Sequence, residues 1–99
     1  FYENIPRILK YETKAKITYN FKDWPNHDLF NWIQLEGNIK DREMFSTFNC
    51  GIGMVISVQE KDTKKTLNLL NQFGVIARQI GIVEPKLRNE PSVEISLIR

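Results

Sequence analysis

The stretch that most restricts what this chain can become is Ala15 to Lys22, "AKITYNFK". Apolar and polar residues alternate there without a break. Ala15, Ile17, Tyr19 and Phe21 fall on one side, and Lys16, Thr18, Asn20 and Lys22 on the other. Period two is the signature of a strand with one covered and one wet face. Something elsewhere in the 99 residues must cover the apolar side.

Candidates for that cover are legible on both sides of the strand. "ENIPRIL" (Glu3 to Leu9) reads as a short helix, with Asn4 as its cap and Pro6 in a first turn where its missing N–H costs nothing. After the strand, Asp23, Trp24 and Pro25 begin a helix, Asp23 being a candidate cap. Its apolar side is Leu29, Phe30, Trp32 and Ile33, and Gly37 is its expected stop. Asn38 to Phe48 reads as a second, shorter helix carrying Met44, Phe45 and Phe48, with Asp41 near its start. Gly53 to Val58 has the composition of a buried strand. Asp62 to Phe73 is the clearest helix, its stripe made by Leu67, Leu70 and Phe73 with Thr66 and Leu69, and Gly74 ends it. Val75 to Val83 reads as a strand in which Gly81 marks a bulge. Glu84 to Pro91 is a polar loop, and "SVEISLI" (Ser92 to Ile98) a closing strand. The order helix, strand, helix, helix, strand, helix, strand, strand predicts an α+β fold. Helices are layered on a mixed sheet, with a right-handed strand–helix–strand crossover.

Length and composition set the outer limits. Ninety-nine residues make one domain, which buries roughly 60–70% of its unfolded surface. Fourteen basic against 12 acidic residues leave a net charge of +2, too balanced to argue for nucleic acid or a membrane surface. No apolar run approaches the ~20 residues of a membrane span. A single cysteine excludes an internal disulfide and fits a reducing, cytoplasmic setting. The chain opens on Phe1 without a signal-peptide pattern and reads as an internal piece of a longer enzyme.

The motif with chemical potential is "FNCGIGMVISV", Phe48 to Val58. Gly51 and Gly53 are not a Walker loop, because no Lys follows and a strand rather than a helix comes next. They are not a dinucleotide fingerprint either, since position 56 is Ile. Two readings remain: close backbone approach to an anion, or a plain bend from helix to strand, which the bare pattern favours. Cys50 reads as a small semi-buried thiol, because a nucleophile needs a base partner and His27 lies on a distant helix start. His27 alone makes no metal site. Asp41 and Glu43 serve a helix start. Asn4 and Arg7 could offer a short helix start and a cation to an anion, or could simply be solvated. Lys61, Lys64 and Lys65 read as the wet side of a helix. The aromatics Trp24, Phe30, Trp32, Phe45 and Phe48 have helical spacing and suit a core better than base stacking.

Taken together, "FYENIPRIL", "FNWIQLEGNI", "EMFSTFNCGIGMVISV" and "LLNQFG…IGIV" resemble the C-terminal domain of aminoimidazole ribonucleotide synthetases, the phosphoribosylformylglycinamidine cyclo-ligases of purine biosynthesis. The likeness runs in order over essentially the whole chain. It implies a layered α+β domain with partial ferredoxin-like topology, lacking here its first strand, helix and Gly-rich loop. It also implies an N-terminal half supplying most of the ATP and Mg²⁺ site and most of a homodimer contact, so the 99 residues alone are expected to be inactive. The implied reaction converts formylglycinamidine ribonucleotide to aminoimidazole ribonucleotide with ATP cleaved to ADP and phosphate. Such chemistry asks for positioning and charge neutralisation, with no protein nucleophile. The resemblance places Asn49, Gly51 and Gly53 on the cleft between the halves, with Asn4 and Arg7 supporting a phosphate. It assigns no catalytic residue and no metal ligand to this part of the chain. The competing readings are a non-catalytic, small-molecule-binding regulatory domain of ferredoxin-like type and, less favoured by charge balance and sheet composition, an RNA-binding module.

Overall fold

The alternating stretch is a strand, and it is the centre of the molecule. The computed structural model describes residues 4–23 and 27–98. The expectations on Glu3, Trp24 and Pro25 fall outside them. A short 3-10 turn (Ile5–Ile8) leads into β1 (Thr13–Asn20), followed by α1 (His27–Gly37), α2 (Asp41–Thr47), a single 3-10 turn (Glu60–Asp62), α3 (Thr63–Gln72), β2 (Gly81–Pro85) and β3 (Val93–Ile98). The sheet has the order β2–β1–β3. β2 is antiparallel to β1, with Thr13 opposite Pro85 and Ile17 opposite Gly81. β3 runs parallel to β1, from Ala15 opposite Val93 to Asn20 opposite Ile98. This is the expected α+β class with a mixed sheet, but among the described residues the sheet has three strands where the sequence predicts four.

The two faces of β1 divide as their side chains require. Ala15, Ile17 and Tyr19 are buried, while Lys16 and Thr18 are exposed. Tyr19 is at the heart of the larger core cluster with Met44, Phe45, Cys50 and Ile52, against which Phe30, Phe48 and Leu97 also pack. Its ring meets Phe21 and Phe45 edge-on, at centroid distances of 4.8 and 4.9 Å, the geometry that the ring quadrupoles favour. A second cluster joins Ile5, Ala15, Ile17 and Val93. Thus α2 and the segment after it cover one end of β1, and the first 3-10 turn covers the other.

Helix ends follow backbone chemistry. At the end of α1, Ile39 N–H donates to Gln34 C=O (3.0 Å) and Asn38 N–H to Leu35 C=O (3.3 Å). Asn38 carries the positive φ, 50°. This is a Schellman closure in which Asn38, not the expected Gly37, takes the left-handed position that Asn tolerates. α3 ends the same way with Gly74 at φ 81°, its N–H bonded to Asn71 C=O and that of Val75 to Leu70 C=O. Here the glycine is where the sequence put it.

Several expectations need correction. Asn4 does not cap the first turn with its side chain; its backbone is already helical at φ −89°, ψ −31°, whereas a capping residue is typically in the β region. Residues 53–58 form no strand, because a strand needs a hydrogen-bonding neighbour and none of the described strands reaches them. Residues 75–80 are irregular too, and β2 starts only at Gly81 and runs through Glu84 to Pro85. A Cβ on Gly81 would lie 2.1 Å from the carbonyl oxygen of Lys16, so this glycine permits close approach to β1. On α3, Thr66, Leu67 and Leu70 are half-buried, but Leu69 and Phe73 are exposed. The expected single stripe is split.

Candidate functional site

The corner around residue 51 is a closed turn. α2 ends with Phe48 N–H bonded to Met44 C=O at 2.8 Å, and Ile52 N–H then reaches back to Asn49 C=O at 3.0 Å. The two central residues both have positive φ, 52° at Cys50 and 93° at Gly51. Two positive values in succession define a type I′ turn, in which the second position strongly favours Gly. Asn49 adds a second clasp, its Oδ1 accepting the Gly51 N–H at 3.0 Å. The conformational demand at Gly51 is therefore explained by the turn itself.

The turn has an inner and an outer side. Cys50 and Ile52 point inward and are 3% and 6% exposed. The Tyr19 hydroxyl donates to the Cys50 carbonyl, and the Cys50 thiol points back to the Met44 carbonyl at 3.7 Å. The cavity lined by Tyr19, Phe30, Gln34, Met44, Phe45 and Cys50 is about 10 Å³, at the lower limit for a single water. That space is too small for a nucleotide or a sugar phosphate. On the outer side, Asn49 and Gly53 are exposed and Gly51 is half-buried. Nothing lies within 4 Å of a Cβ placed on Gly53. A ligand at this corner would lie on the outer surface, against the main chain of 51–53 and the Asn49 amide.

Burial pushes the Cys50 thiol up to about 11. That is the reverse of the depressed value an activated thiolate requires. Burial, with the Cys50 charge a lesser cause, likewise pushes Tyr19 up to about 12, so both groups are neutral at physiological pH.

Asn4 and Arg7 are exposed on the first 3-10 turn. That turn is anchored through Ile5 to the cluster with Ala15 and Ile17, while the Asn49–Gly53 corner is anchored to the Tyr19 cluster. The two groups of candidate residues thus belong to opposite ends of β1. Ala15 and Tyr19 are about 13 Å apart along a strand rising ~3.3 Å per residue.

One charged constellation was not anticipated. Lys14, 5% exposed, lies on the outer face of the sheet beneath three carboxylates. It donates to Glu90 and, at 3.1 Å, to Glu94, with Glu84 at 3.6 Å. Glu84 is its register partner on β2. The hydrogen bond to Glu90 outweighs desolvation and holds the ammonium well above the ordinary lysine value; the same bond holds the Glu90 carboxyl below its own. Glu90 also accepts the Leu87 N–H at 2.9 Å, which folds the loop before β3. No sequence signal marks this group, since positions 14, 84, 90 and 94 meet only through strand register. A lysine occupies the space among these carboxylates, and among the described residues no His, Cys, Asp and Glu gather as metal ligands.

Residues 1–94 match the family described as AIR synthase related protein, C-terminal domain. The chain belongs to this family. It is a C-terminal part within proteins that include ATP-dependent enzymes, and its three-stranded mixed sheet with helices is consistent with a domain of this type. No helix among the described residues is long and apolar enough to cross a membrane.

Proposed function

We propose that this chain is the C-terminal part of an ATP-dependent cyclo-ligase that closes formylglycinamidine ribonucleotide to aminoimidazole ribonucleotide in purine biosynthesis. The observation that carries this reading is the family match over residues 1–94, joined by a corner whose inner side is sealed and whose outer side is bare main chain. ATP phosphorylates the formyl oxygen, a nitrogen of the same molecule attacks the activated carbon, and phosphate departs with that oxygen. In this scheme the Asn49 amide and the backbone at Gly51 and Gly53 form part of the substrate or nucleotide wall, and Asn4 and Arg7 support a phosphate. The scheme requires no protein nucleophile, in keeping with the neutral, buried Cys50.

The residues described here do not suit Mg²⁺, because the gathered carboxylates Glu84, Glu90 and Glu94 are already taken by Lys14. Mg²⁺ and most ATP contacts are assigned to the N-terminal half of a homodimeric, cytoplasmic enzyme. Exposed apolar residues support such a partner half. Met54 is 85% exposed, Ile56 52% and Val58 44%, at alternate positions of the segment after α2, and Phe73, just after α3, is 76% exposed; large apolar groups left open in this way suit a surface that another part of a protein covers.

The decisive experiment supplies the full-length protein with ATP and formylglycinamidine ribonucleotide and follows ADP, phosphate and aminoimidazole ribonucleotide. Equal, substrate-dependent formation of the three is expected. ATP consumption with another substrate, or none, would replace this reading by another activity of the family or by a regulatory binding domain.

A further inference from the structure

We draw no further inference here: the strongest candidate, the exposed apolar residues Met54, Ile56 and Val58 on the irregular segment after α2, belongs to the seam with the partner half already proposed, and nothing in the structure shows what covers it.

Discussion

The Tyr19 hydroxyl donates a hydrogen bond to the carbonyl oxygen of Cys50, so the central strand holds the turn that carries the candidate site. Both residues are almost fully buried. Replacing Tyr19 with Phe keeps the ring packing on Phe21 and Phe45 but leaves a buried carbonyl without this donor. The expected loss is about 1–3 kcal/mol of stability, read as a lowered urea midpoint with an unchanged slope. If Tyr19 positions the turn for the ligand, KM in the full-length enzyme rises as well, whereas Tyr19→Phe with an unaltered midpoint would show the bond to be dispensable.

Gly51 and Gly53 separate by the same logic. Gly51 is held at φ 93°, where a side chain costs roughly 1–2 kcal/mol. Gly51→Ala therefore lowers stability regardless of function. Gly53 has open space where a Cβ would go and no positive φ, so Gly53→Ala and Gly53→Val leave the thermal midpoint where it was. A higher KM for ATP or the ribonucleotide in the Gly53 variants assigns that position to the ligand wall. Wild-type kinetics at Gly53→Val would remove it.

The Lys14 cluster predicts a pH profile. Glu90 has a folded pKa below its unfolded value, so its contribution is complete above the unfolded carboxylate pKa near ~4.3 and is lost as pH falls through the folded value. Lys14 has a folded pKa above its unfolded value; its contribution is complete below roughly pH 10 and is lost only in strong alkali. Urea unfolding of the wild type should thus show acid loss beginning near pH 4. In Lys14→Met the carboxylates face each other without their shared central cation, and only Lys16, 3.7 Å from Glu84, stays nearby. Stability at neutral pH falls, and acidification toward pH 4 now raises it, because protonation relieves the repulsion. Parallel profiles for the two proteins would mean the cluster contributes nothing.

Burial keeps the Cys50 thiol protonated up to about pH 11. Iodoacetamide at pH 8 is expected to leave the native protein unmodified over a period that fully alkylates it in urea, as mass spectrometry would record. Rapid native labelling would show that the corner opens far more often than its packing implies.

The amphipathic pattern made much of this molecule readable in advance. Ala15, Ile17 and Tyr19 alternate with Lys16 and Thr18 because a strand presents successive side chains to opposite faces, and the structure buries the first set. Gly74 ends α3 because its left-handed conformation is local. Met44 and Phe45 stand out in the sequence as the apolar residues of α2, and both are buried against Tyr19. Of the candidate site, the sequence marked Asn49 to Gly53 as a place of unusual backbone, and residue types alone sufficed for that.

Other features depend on groups far apart in the chain. Gly53 to Val58 has strand-forming residues, yet pairing needs a neighbour, and the sheet here provides none. Gly81 is explained by the Lys16 carbonyl on another strand, and Lys14 is buried only because register brings Glu84, Glu90 and Glu94 to it. The sequence by itself determined which faces are apolar and where the backbone must turn, since those follow from side-chain period and steric allowance within a few residues. Only the tertiary structure decided which side of the Asn49–Ile52 turn is sealed and which is open, because that depends on Tyr19, thirty-one positions from Cys50, reaching across to hold it.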